Sequence, residues 1–224
     1  MAESLLAPIE YQTLNDIVTK QLRAAILSGR FPPGTALTQR DIADQLSVSR
    51  MPVREAFRTL ELEGLIRGLP RRKAVVVTLQ PEDLADIFDI LATLEARAAE
   101  KAAPLIDQEG LRRLRQLRDE LVAGPDDVAG LLDLDLDFHS TIYQHAGSRI
   151  QLVIQTHRNA VRPYWLSTAV QQERRGAVRE EHGRIIAALE AHDPAAAASA
   201  TAGHLRAEGW ELVEHLRCRQ HQAG

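Results

Sequence analysis

The stretch TQRDIADQLSVSRMPVREAFRTLELEGL (residues 38–65) encodes two short amphipathic helices joined by a tight turn. Thr38 and Ser49 are residues of the type that caps the N-terminus of a helix, and each stands just before an apolar periodic run. Only the dipeptide 47–48 is left to connect the two helices. The order of helix, turn and helix indicates a helix-turn-helix motif.

Three arginines recur every four residues in the second helix and form one basic stripe: Arg50, Arg54 and Arg58. The opposite face carries apolar residues that we expect to be buried: Val53, Phe57 and Leu60. A helix of this size fits the major groove of B-DNA, where an arginine fork can bind guanine O6 and N7. A basic stripe alone more often marks a solvated helix face, so the prediction depends on the surrounding motif.

The flanking sequence extends this motif. Apolar residues at helical spacing predict a helix over 13–27, and FPPGTAL (31–37) is predicted to be a loop because its prolines and glycine exclude a helix. Downstream, LIRG (65–68) and AVVVTL (74–79) are typical of short β-strands. The basic turn between them, LPRRK (69–73), would form a wing that reaches an adjacent groove or phosphates.

From residue 81 onward the pattern is helical throughout. Pro81 starts a first helix that ends at Pro104, and the further helices are predicted over 108–123, 127–146, 149–171, 174–191 and 194–217. Six such helices predict an antiparallel bundle with its own core. The expected fold is therefore mainly α, with a winged helix-turn-helix domain over 1–79, an all-α antiparallel helical bundle over 80–219 and a tail at 220–224.

The charge distribution also divides the chain of 224 residues. Residues 1–80 carry 11 Lys and Arg against 8 Asp and Glu, whereas residues 81–224 carry 16 against 23, so the net charge of −4 conceals a basic N-terminal part. The single cysteine excludes an internal disulfide, and no apolar run approaches the roughly 20 residues that span a bilayer. The N-terminus has no signal-peptide core. We expect a cytoplasmic protein with no membrane partner.

All eight histidines lie in the C-terminal part. In LLDLDLDFHSTIYQHAG (131–147), Asp135 and His139 share the apolar face one turn apart, so a carboxylate and an imidazole could hold one cation. His182 and His204 occupy comparable positions on later helices. Burying these four groups without a partner would be costly, and a borderline divalent metal would satisfy them. The spacing alone leaves a metal site and plain buried polar groups equally open.

The other polar residues carry weaker signals. Arg162, which shares a predicted inner helix with His157 and Arg158, could pair with an anionic effector or form a structural salt bridge. Tyr164 and Trp165 fit a core or a pocket wall. The remaining histidines and the free thiol are interpreted as exposed or structural: His145, His192, His215, His221 and Cys218.

Residues 11–79 resemble the winged helix-turn-helix of GntR-type bacterial transcription regulators, chiefly in QLRAAILSGRFPPGTALTQRDIADQLSVSRMPVREAFRTLELEGLI (21–66) and PRRKAVVV (70–77). The resemblance implies a double-stranded DNA operator as partner. The residues expected to contact it are Arg40, Ser49, Arg50, Pro52, Arg54, Arg71, Arg72 and Lys73. Relatives usually have glycine where Lys73 stands, so this wing gains a charge and a side chain.

Residues 84–217 resemble the all-helical FCD ligand-binding domain of the FadR-type branch, in its shorter, VanR-like version with six helices. The resemblance rests on DLDFHSTIYQHAGS (135–148), EEHGRIIAALEAHDPAAA (180–197) and the later His204. It implies one divalent transition metal per chain, with Zn favoured and Ni, Mn, Co or Fe open. The implied ligands are Asp135, His139, His182 and His204.

Two departures concern the effector. Leu91 stands where many relatives have arginine, and Ser148 stands where many have asparagine; both positions line the effector region in relatives. A small carboxylate or sugar acid remains the expected effector, but its binding must differ. The residues expected to bind it are Ser148, Arg162 and Tyr164.

These inferences predict a metabolite-responsive repressor rather than an enzyme. It would bind a pseudo-palindromic operator as a homodimer, because twofold protein symmetry matches twofold DNA. One open alternative is the same regulator with a purely structural metal. Another is a metal-dependent enzyme, since three histidines and a carboxylate could activate water. The enzyme is disfavoured because the sequence has no H-E-x-x-H pair and because the DNA-binding motif would have no role.

Overall fold

The structure is a computed structural model that describes residues 13–124, 127–166 and 174–223, with side chains through Cys218. The chain divides between Val77 and Thr78 into two compact units. We call the N-terminal unit the head and the C-terminal unit the body. Each has an apolar core of its own.

The described part of the head consists of three helices and a three-stranded sheet. In chain order its elements are α1 (Leu14–Leu27), β1 (Ala36–Thr38), α2 (Gln39–Leu46), α3 (Arg50–Leu62), β2 (Ile66–Leu69) and β3 (Lys73–Val76). The strand order is β1-β3-β2, and both pairings are antiparallel. The predicted winged helix-turn-helix is confirmed.

Local sequence sets the boundaries of the helix-turn-helix. Thr38 Oγ1 accepts a hydrogen bond of 3.1 Å from the backbone N–H of Asp41 and so caps α2. Ser47 adopts the left-handed conformation, with φ of 53°, and turns the chain toward α3. The apolar face of α3 packs into the core of the head as predicted, through Val53, Phe57 and Leu60.

Two local expectations for the head are wrong. The loop predicted over 31–37 ends in a strand, because Ala36 and Leu37 pair with Val75 and Ala74 of β3. A strand of three residues shows no period in the sequence and exists only through this pairing. Ser49 stands at the N-cap position of α3, but its side chain makes no capping hydrogen bond.

The body is helical throughout the described residues. Its helices are α4 (Pro81–Ala102), α5 (Gln108–Ala123), α6 (Val128–Tyr143), α7 (Ser148–Leu166), α8 (Arg175–Glu190) and α9 (Pro194–Ala223). They correspond to the six predicted helices, although the predicted stretch after Leu166 lies outside the described residues. Among these helices, none has the length and hydropathy of a membrane span.

Packing in the body centres on α4 and α9, which form its most extensive contact. The two helices approach closely at Gly209, where a Cβ atom would collide with the ring of Phe88. Helix α5 packs on α6 and α8, and α7 packs on α4 and α6. The apolar core so formed encloses a set of buried polar side chains: Glu95, Asp135, His139, Arg174, Glu181, His182, His204 and Glu208.

Candidate functional site

The exposed face of α3 carries the predicted basic stripe. Arg50, Arg54 and Arg58 are all exposed, and the opposite face is packed inside the head. Arg54 Nε lies 3.2 Å from Glu55 Oε1 in a solvent-exposed pair. Such surface pairs contribute little, so Arg54 can exchange this partner for DNA. Helix α3 therefore presents a basic edge of the kind that enters a major groove.

The other predicted contact residues near α3 differ in exposure. Arg40 is exposed and forms only a long surface pair, 3.7 Å, with Asp44. Ser49 is exposed at the start of α3. Pro52 is buried in the first turn of α3. Backbone N–H groups in the first turn have no intrahelical acceptor, so the N–H that proline lacks costs the helix no hydrogen bond. The structure thus places Pro52 in the core of the head and not on the surface that the arginines form.

The wing is the turn between β2 and β3. Leu69 pairs with Lys73 across it, and Arg71 and Arg72 both adopt positive φ angles, of 63° and 62°. The carbonyl of Arg72 accepts a hydrogen bond of 3.3 Å from Gln39 N, which ties the wing to the start of α2. Arg72 and Lys73 line a groove together with the α3 residues Arg54 and Arg58. The two basic segments of the head therefore face one shared groove.

The four residues predicted to bind metal converge inside the body. Asp135 and His139 come from α6, His182 from α8 and His204 from α9, and all four are buried. One donor atom from each lies within 4.8 Å of the other three. The convergence predicted from the helix faces is confirmed.

The spacing of the donor atoms fits a metal. His139 Nε2 lies 3.2 Å from His204 Nε2, and Asp135 Oδ1 lies 3.7 Å from His139 Nε2 and 3.6 Å from His182 Nε2. Two ligands bound at ~2.1 Å in tetrahedral geometry are roughly 3.4 Å apart. Neither ring nitrogen of the buried His182 makes a hydrogen bond, which is costly unless a cation binds there. The donor set therefore fits a divalent transition metal.

Carboxylates orient two of the three imidazoles. Glu95 Oε2 lies 3.0 Å from His139 Nδ1, and Glu181 Oε2 lies 2.7 Å from His204 Nδ1. A metal-binding imidazole usually donates its second N–H to a carboxylate, which fixes the tautomer. His204 makes this hydrogen bond with Glu181, whereas His139 Nδ1 lies close to Glu95 without hydrogen-bond geometry. The imidazole of His182 instead stacks on the ring of Phe138, with the two ring centroids 3.8 Å apart. The Nε2 atoms of His139 and His204 thus face the shared centre.

Arg158 joins the carboxylates into one buried network. Its guanidinium donates to both oxygens of Glu95, at 2.7 and 2.9 Å, and to Asp135 Oδ2 at 3.1 Å. The same side chain donates to the hydroxyl of Tyr143 at 3.2 Å. Arg158 therefore offsets part of the negative charge around the cluster and fixes the position of Asp135.

Five charged residues take part in the buried network without having been assigned this role from the sequence: Glu95, Arg158, Arg174, Glu181 and Glu208. Four of them lie at helical spacing from buried apolar residues of their own helix, and Arg174 stands at the N-cap position of α8. Glu95, for example, continues the buried stripe of Leu84, Phe88 and Leu91 on α4. A charged residue on an apolar stripe is rarely buried without a partner, and this is the signal that could have identified them.

Burial and neighbouring charges shift the pKa values in the network. Burial acts to raise the pKa of Glu95, but Arg158 and His139 outweigh it and hold this pKa at about 2. Burial lowers the pKa of His182 well below its ordinary value and also lowers the pKa of His139. Both imidazoles are therefore neutral at physiological pH, in the form that binds metals. Burial raises the pKa of Glu208 to about 7.

A cavity of about 40 Å³ opens beside the cluster. Asp135, Arg158, Arg162 and Glu208 line its polar side, and Leu91 belongs to its apolar wall. The arginine that many relatives have in place of Leu91 is therefore missing from this wall. The cationic groups that line the cavity, Arg158 and Arg162, come from α7 instead.

The three residues expected to bind an effector are not brought together. Arg162 lines the cavity and donates to Asp133 Oδ1 at 2.7 Å, so it takes part in a salt bridge. Ser148 is exposed at the start of α7 and does not line the cavity. Tyr164 is buried, also outside the cavity lining, and its hydroxyl accepts a hydrogen bond from Leu79 N.

The other histidines have local roles or none. His192 Nδ1 lies 2.7 Å from Ala103 O, and His157 Nδ1 lies 2.8 Å from Val153 O. Two further ones are half-buried, His145 and His215. The side chain of His221 lies outside the described residues, and Cys218 is exposed.

A winged helix-turn-helix with a basic face, followed by a helical body, defines a DNA-binding transcriptional regulator. Residues 14–76 match the model of the bacterial regulatory proteins of the gntR family, and residues 86–207 match the FCD domain model. The chain belongs to the GntR family of transcriptional regulators that carry a C-terminal FCD domain. This family implies DNA as one partner and a small-molecule effector as another.

Individual relatives agree with this assignment. An uncharacterised helix-turn-helix transcriptional regulator of Agrobacterium vitis is 34% identical over 126 residues, which are 54% of this chain and 74% of that protein. The gluconate operon transcriptional repressor of Bacillus subtilis is 34% identical over 127 residues, 56% of this chain and 52% of that protein. The fold resembles that of E. coli McbR/YncC, with a TM-score of 0.77 at 22% identity over 92% and 99% of the two chains. The Agrobacterium and Bacillus relatives are named as transcriptional regulators and not as enzymes.

Proposed function

We propose that this chain is a metabolite-responsive transcriptional repressor in which a bound metal helps to hold a small organic acid. The observation that carries the proposal is the convergence of Asp135, His139, His182 and His204 beside a cavity in the body of a DNA-binding regulator. We place the protein in the cytoplasm, because a regulator of this class works on chromosomal DNA.

The head, with its domain extending over 1–79, reads the operator. We assign base contacts to the exposed stripe of α3 and phosphate or minor-groove contacts to the wing. The proposed contact residues are Arg40, Ser49, Arg50, Arg54, Arg71, Arg72 and Lys73, with Pro52 supporting the first turn of α3 from inside. A homodimer would present two such surfaces to the two halves of a pseudo-palindromic operator.

The body, extending over 80–219, holds one divalent transition metal per chain through Asp135, His139, His182 and His204. The lowered pKa values of His139 and His182, and the carboxylates beside His139 and His204, support this assignment. When bound, the metal supplies a positive centre to which a carboxylate can coordinate. Zn is the first candidate, and Ni, Co, Mn and Fe use the same donor types.

The effector is a small carboxylate or sugar acid, a class to which the name of the gluconate operon relative also points. Arg162 is the cation best placed to bind it, since Arg158 already binds Glu95 and Asp135. The partner of Arg162, Asp133, is 69% exposed, so an effector carboxylate can replace it. A cavity of about 40 Å³ holds only a few water molecules, so its rim must open for an organic acid.

The same small cavity favours a second candidate, a regulator whose metal only stabilises the body. The two candidates differ in what the metal does for the effector. An effector acts on DNA binding only through its different affinity for two arrangements of the protein, typically worth about 1–3 kcal/mol.

A thermal-shift screen against small carboxylic and sugar acids, D-gluconate included, distinguishes the candidates. We expect an acid that stabilises the metal-loaded protein but not the metal-free protein and that weakens operator binding about 5- to 150-fold in fluorescence anisotropy. An equal response with and without metal would assign the metal a structural role. No response to any acid in either form would contradict the effector site.

A further inference from the structure

Glu208 is a buried carboxylate that the proposed set of four ligands leaves out. It is 3% exposed and lies on α9 one turn after His204, so the two side chains project from the same face. Glu208 Oε2 lies 3.8 Å from His204 Nε2, the nitrogen that faces the shared centre. Asp135 Oδ1 lies at nearly the same separation, 3.6 and 3.7 Å, from the two imidazoles nearest to it. The distance from Glu208 to its nearest imidazole is thus close to the distances from Asp135 to the two imidazoles beside it.

The two carboxylates that flank His204 occupy different positions. Glu181 contacts Nδ1 from the side away from the cluster, whereas Glu208 approaches Nε2 and lines the cavity beside the cluster. Adjacent ligands of one metal with bonds of ~2.1 Å are roughly 3.0–3.4 Å apart, depending on coordination number. Glu208 lies outside the set of donor atoms that are all within 4.8 Å of one another, so its side chain would have to move toward the centre to reach a metal bound to His204.

The charges of two buried carboxylates also favour a metal near Glu208. Asp135 and Glu208 are both buried and line the same cavity. Arg158 already donates a hydrogen bond to Asp135, and a metal at the cluster would add a second cationic partner beside the two carboxylates. A divalent ion at the cluster would offset both negative charges at once.

We propose that Glu208 is a fifth metal ligand, which gives a donor set of three imidazoles and two carboxylates. This rests on the metal binding proposed above and refines its expectation for the ion. Five-coordinate geometry with two carboxylate oxygens suits Mn, Fe, Co or Ni better than the tetrahedral geometry typical of Zn.

Cobalt substitution tests the proposal, because the visible absorption of bound Co(II) reports its ligands and coordination number. In metal-free protein reloaded with Co(II), Glu208→Gln should change the positions and intensities of the visible bands. Glu181→Gln is the matched control, since Glu181 is a buried carboxylate that contacts the same imidazole from the other side. It should weaken cobalt binding about 10- to 100-fold and leave the bands of the loaded protein unchanged.

The outcomes separate the two levels of the proposal. Cobalt uptake with identical bands in Glu208→Gln and the unsubstituted chain would overturn the fifth ligand and leave the metal site standing. Failure of the unsubstituted chain to take up cobalt would overturn both. If Glu208→Gln does not fold, a crystal structure of the metal-loaded unsubstituted chain decides: a Glu208 oxygen at ~2.0–2.2 Å from the metal supports the proposal, and one beyond roughly 3 Å overturns it.

Discussion

At the scale of single residues, Arg158 connects two buried carboxylates of the body. It makes two hydrogen bonds to the fully buried Glu95 and one to Asp135. Removing one partner of a buried ion pair costs much more than the pair contributes, because the other charge stays behind without water or a counter-charge. Substitution of Arg158 leaves two such charges.

Arg158→Ala should therefore lower the free energy of unfolding by about 3–5 kcal/mol, measured by urea denaturation in the presence of a chelator. Arg113→Ala is the control. Arg113 lies 3.8 Å from Asp137 in a pair exposed to solvent, and its loss should cost less than about 1 kcal/mol. Equal costs for the two variants would contradict the role of Arg158.

The orphaned imidazole of His182 leads to a second prediction. A metal that binds only the folded chain stabilises it by about 2.7 kcal/mol at a hundred times Kd, so added Zn should raise the Tm of the unsubstituted protein. His182→Ala should show no such rise, whereas His145→Ala, altered outside the cluster, should show it in full. A rise of the same size in His182→Ala would contradict the assignment of this ligand.

At the scale of elements, the sequence predicts the helices well and the partners of its buried charges poorly. Helices α4 to α9 show a clear apolar period, and that period alone brings Asp135, His139, His182 and His204 to inner faces. Strand β1 has no such signal, because only its pairing with β3 creates it. The identity of each buried ion pair depends on which helices meet, and periodicity within one helix does not contain that information.

The basic stripe of α3 leads to a prediction about operator binding. Arg54→Ala should weaken operator binding by about 1–3 kcal/mol if the guanidinium reads a base edge, measured by fluorescence anisotropy at fixed salt. Arg112→Ala, a charge-matched change on α5 of the body, should leave the operator affinity unchanged. Unchanged affinity in Arg54→Ala would remove this residue from the recognition surface.

At the scale of the whole molecule, the basic head and acidic body correspond to two units with separate cores. The charge asymmetry and the break in pattern near residue 80 suffice to predict two units. The helix-turn-helix motif, from which we propose a twofold arrangement on DNA, is also recognisable in the sequence. The identity of the effector cannot be predicted from the sequence, because the cavity is shaped by side chains from several helices.

The proposed homodimer is tested by sedimentation velocity with and without DNA. The protein should sediment as a dimer and form one complex of two chains per full pseudo-palindromic operator. It should bind an isolated half-site far more weakly, because half of the contacts are lost. Binding of single chains to full and half sites with equal affinity would contradict the dimeric model.

The central claim is that the buried cluster of one aspartate and three histidines holds a divalent metal, and elemental analysis of the purified protein tests it most directly. We expect about one transition-metal ion per chain in the unsubstituted protein and none in Asp135→Ala. Absence of metal from the unsubstituted protein, even after growth and purification with added metal, would contradict the claim and leave the four residues as buried polar groups.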